Sequence, residues 1–428
     1  MDNIKELFKL RGDKGIWLFV LFIAMFSILA VYSSTKSLAF RSPTGNSVEY
    51  FAFKHAMFLF IGLGLTFFAH KIDYNNYSWV AKYLLYLCFP LLLGTLIFGK
   101  DGRWISILGN QFQPSEIAKF VLIIYLARVI SKNQNTIKTF KDGLLPILLP
   151  VLGICSLIIL ADFSTAMLIL ITSFIMMIVG RVNFKYIFGL FTLGMITITI
   201  FFTWLLKAPD SLLIGRQDVW KNRIVSYKDN FFSDNKENLD QQEKFANIAI
   251  AHGGIIGKGA GKGLQKNFIP EAYSDFIFAV IAEEYGFLGA LIVICLYLYF
   301  FYRCIFIFTK SEGTFGGLLA ISLALSLVIQ AMLNICVTVG LLPVTGVTLP
   351  LISRGGTSIL ITCLAIGVIL SVDHYTEVNS GDGGPKKRKP SVKKKKVVKT
   401  KAKEEPKDIS DEPIKKQRKL GGLDFGRA

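Results

Sequence analysis

The sequence predicts an all-α polytopic membrane protein, with about ten transmembrane helices and one large extracytoplasmic loop. Three observations support this fold class. Hydrophobic residues make up 52% of the 428 residues, and the mean hydropathy is +0.50, unlike soluble domains of this length. Apolar stretches of about 18 or more residues, long enough to cross the ~30 Å hydrocarbon core, recur along the chain. Basic residues cluster in alternate short connections between these stretches.

The apolar stretches predict spans at residues 16–34, 51–71, 79–98, 115–131, 144–161, 163–180, 186–206, 276–302, 315–340 and 352–372. Residues 1–15 are basic and precede the first span, so they are predicted to be a cytoplasmic N-terminus. No small-residue cleavage site follows that span, so it is predicted to be a retained helix rather than a removed signal peptide.

The short basic connections predict the orientation, because cytoplasmic loops are enriched in Lys and Arg. An even number of spans returns the C-terminus to the side of the N-terminus, which makes both termini cytoplasmic and the chain a multi-pass inner-membrane protein. Residues 207–274 then lie outside the cell, and a connection of this length is expected to be functional. The cytoplasmic connections carry Lys71, Arg128, Lys132, Lys138, Lys141, Arg181, Lys185, Arg303 and Lys310.

Residues 373–428 form a basic tail that is predicted to be disordered, because it has few large apolar residues. Its lysine runs could bind nucleic acid. Directly after a membrane span, however, the anionic inner leaflet is the simpler partner, and the tail lacks a series of stacking aromatic residues. We therefore expect membrane lipid as a partner and no nucleic acid.

Neither a disulfide framework nor a transition-metal enzyme is expected from the cysteine and histidine spacing. The six cysteines lie within or at the ends of apolar spans and are expected to be core residues.

The strongest functional signal is Asp275, which lies at the edge of a long apolar run that also contains Glu283 and Glu284. Carboxylates at membrane depth are costly, so they mark functional sites. A helix beginning near Asp275 would stabilise the ionised carboxylate, whereas an apolar environment raises its pKa, and the balance suits a general base. Glu283 is about 12 Å further along such a helix and is expected to pair with a basic residue elsewhere.

Arg103 and Trp104 precede a second motif, QPSEIAK at residues 113–119. Its proline and acidic residue predict a helix start. Glu116 and Lys119 are three residues apart and share a helix face, where they can pair inside the membrane. The pair is either a structural ion pair that fixes helix packing or a group that orients a functional cavity.

Asp162 occupies a short turn between two apolar spans. Aspartate readily bonds to its own backbone in such turns, so a structural role and a substrate role are both open.

The outer loop carries Arg216 and Arg223 on either side of Trp220, and Gln242 precedes a glycine-rich stretch at residues 251–263. Closely spaced glycines let backbone N–H groups approach an anion, and Lys258 and Lys262 add positive charge there. The order of residues is not that of a Walker A loop.

Residues 334–358 are rich in glycine and proline between the last two spans and predict an irregular segment. Irregular backbone at membrane depth is tolerated only where protein buries it or a water-filled cavity lies beside it.

Taken in order, these motifs resemble the SEDS proteins (shape, elongation, division and sporulation), typified by FtsW and RodA. The resemblance covers nearly all of residues 10–372. It rests on Arg103-Trp104 with QPSEIAK, the Asp162 turn, Gln242 with AIAHGG and GKGAGKG, IPEAYSDFIFAVIAEEYGFLG, and GLLPVTGVTLPLISRGGTS.

This resemblance implies a peptidoglycan glycosyltransferase that polymerises lipid II at the outer face of the cytoplasmic membrane. It implies that Asp275 is the catalytic residue, acting as general base on the acceptor 4-hydroxyl with undecaprenyl diphosphate as leaving group. It also implies a salt bridge between Glu116 and Lys119 that supports activity. Substrate-binding residues are then expected among Arg103, Trp104, Asp162, Arg216, Arg223, Gln242, Lys258, Lys262, Glu271 and Ser353.

Three positions depart from the family pattern. Ser164 stands where glycine is usual, Ala246 replaces a common serine, and Arg354 takes the place of a frequent tyrosine. None of these departures removes a charged residue expected in the chemistry.

The EAYSDFIF sequence and the basic tail favour the division type, FtsW. The expected partners are then a class B penicillin-binding transpeptidase and other divisome membrane proteins at the division septum. The sequence identifies no particular cofactor, and a divalent cation, Mg²⁺ or Mn²⁺, could share the stabilisation of the leaving group. The alternatives are the elongation-type RodA polymerase, a lipid II flippase and a non-enzymatic scaffold.

Overall fold

The computed structural model describes residues 10–36, 38, 47–107, 110–209, 217–232, 241–311 and 313–381. The helices are α1 (Lys14–Ser34), α2 (Val48–Ala69), α3 (Tyr74–Phe98), α4 (Pro114–Lys132), α5 (Leu145–Ile159), α6 (Phe163–Val179), α7 (Phe184–Lys207), α8 (Gln217–Phe232), α9 (Gln241–Gly253), α10 (Ile277–Lys310), α11 (Thr314–Thr338) and α12 (Gly356–Gly381). A π-helical turn, Phe140–Leu144, leads into α5, and a short antiparallel hairpin of β1 (Ile105–Ile107) and β2 (Asn110–Phe112) precedes α4.

Each predicted span coincides with one of these helices, which confirms the predicted fold class. Eight helical segments in the described part are long and apolar enough to cross a membrane. Of the two remaining predicted spans, α4 carries Glu116, Lys119 and Arg128, and α6 has only 17 residues. Residues 207–274, which the sequence predicts to be an outer loop, contribute α8 and α9.

The boundary of the C-terminal tail is a correction to the sequence analysis. Helix α12 continues to Gly381, so residues 373–381, which the sequence analysis assigned to the disordered tail, are helical. The extra turns pack against the connection between α2 and α3, where the hydroxyl of Tyr375 donates to the carbonyl of Lys71 and its ring lies 6.3 Å from that of Tyr74. These contacts extend the helix beyond the apolar run. Residues 382–428 lie outside the described residues.

Helix α11 lies at the centre of the bundle and packs against α4, α6, α10 and α12. Its sequence explains this position, because Gly317, Ala320, Ala324 and Ala331 are small enough for neighbouring backbones to approach closely. Helix α7 is the opposite case. It is the least buried of the eight apolar segments, and many of its large side chains are exposed on the surface of the bundle.

Helix α10 is broken at Gly286, whose φ of 69° and ψ of −168° are not helical. Backbone groups of the glycine-rich stretch form hydrogen bonds with the backbone groups that this break leaves unpaired. The amide of Phe287 donates to Gly254 and the amide of Lys258 donates to the carbonyl of Glu283, at 2.9 and 3.0 Å. Backbone groups freed inside a membrane helix must find such partners, so the glycine-rich stretch is held against α10.

A buried ion pair joins the same loop to the helical bundle. The ammonium group of Lys266 lies 2.6 Å from the Glu284 carboxylate and 2.7 Å from the hydroxyl of Ser33 on α1. All three side chains are buried. This cluster fixes the loop, α10 and α1 to one another.

We expect Gly286→Ala to destabilise the protein by at least about 2 kcal/mol, because φ is positive and the added Cβ would lie 2.4 Å from backbone atoms of Gly257 and Ile255. Thermal unfolding of the variant in detergent measures this loss of stability. Gly189→Ala on α7 is the matched control, since its Cβ would meet nothing within 4 Å. Equal unfolding temperatures for the two variants would contradict the account of the break.

We expect Lys266→Met to lower the free energy of unfolding by about 3–5 kcal/mol, because it leaves the Glu284 carboxylate buried without its counter-charge. The double variant Lys266→Met with Glu284→Gln should recover much of that loss, since it removes the unpaired charge. A thermal double-mutant cycle measures the coupling. A double variant less stable than Lys266→Met alone would show that the pair is not the source of the effect.

Candidate active site

A cavity of about 620 Å³ lies among the ends of α2, α4, α6 and α12 and the segments that precede α10 and α12. Most of the residues predicted from the sequence line this one cavity, although they are far apart in the chain. Those residues are Arg103, Trp104, Glu116, Lys119, Asp162, Arg223, Glu271 and Asp275.

Asp275 lies in the turn that leads into α10, one residue before the Phe276 N-cap. Its amide donates to the carbonyl of Glu271 at 3.1 Å, and its own carbonyl accepts a hydrogen bond from the side-chain amide of Asn334 at 2.8 Å. The hydroxyl of Ser274 donates to its carboxylate at 2.9 Å. The backbone is therefore fixed from both sides while the carboxylate faces the cavity.

The surroundings of Asp275 suit a general base. Desolvation by the surrounding protein raises the pKa of its carboxyl above the ordinary range. The hydrogen bond from Ser274 and the positive charges of Arg103 and Arg223 act in the opposite direction, whereas Asp162 raises the pKa further. The pKa of Glu271 is also raised, first by desolvation and then by the negative charge of Asp275.

Asp162 has the structural role that the sequence left open, and it also lies at the cavity wall. It caps α6, accepting from the amide of Thr165 at 3.1 Å and from its hydroxyl at 2.8 Å. It also accepts from Arg103 and, at 3.0 Å, from the side chain of Gln113, and it lines the cavity. The cap thus holds a charged pair at the cavity wall.

The predicted pairing of Glu116 with Lys119 is confirmed as an ion pair, with a distance of 2.9 Å between the ammonium nitrogen and a carboxylate oxygen. Lys119 also donates to the side-chain carbonyl of Gln330 on α11 at 2.7 Å, and Gln330 donates to the carbonyl of Thr348 at 3.0 Å. The pair is therefore joined to the irregular segment that precedes α12.

The irregular segment is shorter than the predicted range 334–358, because α11 continues to Thr338 and α12 begins at Gly356. Buried side chains pair with the backbone of residues 339–355 beside the cavity. Asn334 donates to the carbonyl of Val347 at 2.7 Å, and the hydroxyl of Tyr297 donates to that of Pro350 at 2.5 Å. The segment thus takes its shape from side chains of α10 and α11.

Ser353 lies in this segment but not on the cavity wall. Its hydroxyl accepts from the amide of Leu349 at 2.8 Å and donates to the carbonyl of Ser274 at 2.6 Å. Its position is one that supports the Asp275 turn rather than one that contacts a substrate.

Three basic side chains at the cavity wall were not identified as site residues from the sequence: Lys54, His55 and Arg354. The guanidinium of Arg354 lies 4.6 Å from the ring centroid of Phe51 and 5.3 Å from that of Tyr273, so this departure from the family pattern faces the site. Lys54 and His55 could have been identified from the sequence, because they are adjacent basic residues inside the second apolar span.

The glycine-rich loop does not line this cavity. Lys258 and Lys262 were predicted to bind an anion, but neither lines the cavity. The ammonium nitrogen of Lys258 lies 3.6 Å from the Glu283 carboxylate, because the loop is used to repair the break in α10. Gln242 lies on α9 and is not at the cavity wall either, and Arg216 falls outside the described residues.

The described residues contain no group of three or more His, Cys, Asp or Glu side chains placed to hold a metal ion. The acidic groups at the cavity are instead accompanied by arginine and lysine. The chemistry that the site can support is therefore proton abstraction by a carboxylate beside fixed cations.

Several named proteins are similar to this chain over most of its length. A protein from Geobacter sulfurreducens named probable peptidoglycan glycosyltransferase FtsW is 31% identical, over 86% of this chain and 96% of its own length. A Bacillus subtilis protein of the same name is 32% identical, over 93% of this chain and 99% of its own. The stage V sporulation protein E of Bacillus subtilis is 30% identical, over 86% and 98%.

Two solved structures share the fold. A chain from a peptidoglycan synthase complex that coordinates polymerization and crosslinking matches with a TM-score of 0.68 and 24% identity, over 86% of this chain and 99% of that one. The rod shape determining protein RodA of Thermus thermophilus matches with a TM-score of 0.59 and 24% identity, over 85% and 98%. Residues 13–378 match the family model for FtsW, RodA and SpoVE, described as cell cycle proteins, and the chain belongs to this family.

Proposed function

We propose that this protein is a peptidoglycan glycosyltransferase that polymerises lipid II at the outer face of the cytoplasmic membrane, with Asp275 as the general base. The observation that carries the proposal is the Asp275 carboxylate, which has a raised pKa and faces a cavity that it shares with Arg103 and Arg223. The names of the relatives, which span most of the chain, support the same activity.

The proposed reaction needs one base and one anion-stabilising group. Asp275 takes the proton of the acceptor 4-hydroxyl while that oxygen attacks the anomeric carbon of the donor. The bond from this carbon to the diphosphate oxygen breaks, and the diphosphate leaves with the electron pair. A general base contributes about 10²- to 10⁴-fold to such a step.

The leaving diphosphate carries its own negative charge, so it needs cations rather than a second carboxylic acid. Arg103 and Arg223 supply them beside the base, since both lower the pKa of Asp275 through their charge. Lys54 and Arg354 line the same cavity and are further cations for a second lipid-linked substrate. This arrangement explains why one carboxylate suffices, in contrast to the paired carboxylates of ordinary glycosidases.

We further propose that the protein acts in cell division at the septum, together with a class B penicillin-binding transpeptidase and other divisome proteins. The relatives named FtsW support the division role, although the sporulation and RodA relatives show that the family is broader. The structural neighbour that belongs to a synthase complex for polymerization and crosslinking supports a transpeptidase partner.

Asp275→Asn is expected to abolish polymerisation, with a loss of about 10²-fold or more, because the amide cannot accept the proton. The measurement is glycan-chain formation from purified lipid II by the protein with its transpeptidase partner. Asp73→Asn is the matched control, since Asp73 is a partly exposed helix cap far along the chain from Asp275, and asparagine substitutes well at caps. Chains made equally by both variants would contradict the assignment, and transfer of lipid II across vesicles without polymerisation would favour a flippase.

The activity is expected to fall as the pH drops through the raised pKa of Asp275, because the base acts in its ionised form. Ser274→Ala removes a hydrogen bond that lowers this pKa, so the acidic limb of the kcat/KM profile should move to higher pH. Ser156→Ala, whose hydroxyl bonds only within its own helix turn, is the control. A limb that stays in place or moves to lower pH would exclude Asp275 as the titrating base.

A further inference from the structure

A second, smaller cavity of about 100 Å³ adjoins the main one on the side of α6 and α7. Its walls are largely apolar and include three aromatic rings from three different helices. Phe163 begins α6, Phe202 lies on α7, and Trp220 lies on α8 of the outer loop. The Phe163 ring centroid lies 5.9 Å from that of Phe202 and 5.5 Å from that of Trp220. We call this cavity, with its three rings, the aromatic side pocket.

The aromatic side pocket is continuous with the main cavity through charged residues. Arg103, Asp162 and Arg223 line both cavities. Arg223 is held in place by donating to the carbonyl of Val344 at 2.9 Å, and Arg103 donates to Asp162. A pair of fixed arginines therefore stands where the polar surface ends and the aromatic surface begins.

Two buried polar atoms at this boundary have no hydrogen-bond partner among the described residues: Nε of Arg103 and the hydroxyl of Thr345. Both residues line the aromatic side pocket. Buried polar groups are normally paired, so unpaired groups of this kind indicate a ligand or water position. The arginine nitrogen would suit an anionic oxygen.

A ligand that fits both parts must carry an anion bonded directly to an apolar chain. A prenyl diphosphate has this chemistry, since its diphosphate oxygen is attached to the first isoprene unit. Helix α7, which contributes Phe202 to the pocket wall, is the least buried of the eight apolar segments, so a chain that leaves the pocket along α7 can continue into the bilayer.

We propose that the aromatic side pocket binds the first isoprene units of a lipid-linked substrate, with its diphosphate between Arg103 and Arg223 and its sugar in the main cavity near Asp275. This inference rests on the proposed function and adds the place of the lipid. It assigns to Trp220, Phe202 and Phe163 the recognition of an isoprenoid rather than of a sugar. The leaving group would then depart along α7, away from the turn that carries Asp275.

The test is photo-labelling of the full-length protein in nanodiscs with farnesyl diphosphate that carries a diazirine on its first isoprene unit. Labelled peptides should contain Phe163, Phe202 or Trp220, and excess unlabelled farnesyl diphosphate should suppress the label. Label found only on other helices would overturn the inference.

Variants give a second readout. Trp220→Ala should raise KM for lipid II by about tenfold, with a much smaller change in kcat, because the lost contact is with a group that does not react. Trp204→Ala, on the outward-facing part of α7 and outside the pocket, should leave KM unchanged. Equal KM values for the two variants would contradict the assignment.

The two proposals fail separately. If the wild type polymerises lipid II but the label lies elsewhere, the lipid position is wrong and the proposed function stands. If the pocket is labelled but no chains form under any condition, the prenyl site stands and the polymerase proposal is wrong.

Discussion

The arrangement of the site depends on one constraint: residues 339–355 lie between two membrane helices without forming one. Their backbone groups cannot bond to lipid, so neighbouring side chains must pair with them. Asn334 is the central partner, because its single amide group donates to the carbonyls of both Val347 and Asp275. The need to satisfy an irregular segment thereby determines where the proposed base is held.

The distribution of charge then separates Asp275 from the carboxylates of Glu116, Asp162, Glu283 and Glu284. Glu116, Asp162 and Glu284 each pair with a cation, as does Glu283 at a longer distance. In the part of the chain that the structure describes, Asp275 instead accepts from the hydroxyl of Ser274 and forms no ion pair. A paired carboxylate already accepts hydrogen bonds from its cation, which leaves fewer of its lone pairs free for a substrate proton. Among these five carboxylates, Asp275 is therefore the one best suited to act as a base.

The features that the sequence predicts well are those with local signals. Span positions follow from apolar length, and the Glu116–Lys119 pair follows from helical spacing, because partners three residues apart must share a face. Asp275 was predicted to be a site residue because a carboxylate beside an apolar run is costly, and the structure places it at the cavity wall.

The features that sequence analysis missed depend on contacts between distant segments. The glycine-rich loop has the composition of an anion site, but its backbone pairs with the break at Gly286, which only the tertiary structure reveals. Arg354 lies at the cavity with its guanidinium packed against the rings of Phe51 and Tyr273, which come from different parts of the chain. The continuation of α12 to Gly381 likewise depends on contacts with the α2–α3 connection.

The most direct test of the account is the effect of Asn334→Leu on lipid II polymerisation, measured alongside substrate binding and thermal stability. Leucine has a similar volume but cannot donate to Asp275 and Val347, so the turn that carries the base should lose its position. We expect kcat to fall by about 10²-fold, as for a misplaced catalytic group, while lipid II still binds to a folded protein. Unchanged kcat in a stably folded Asn334→Leu protein would contradict the claim that the irregular segment positions the catalytic carboxylate.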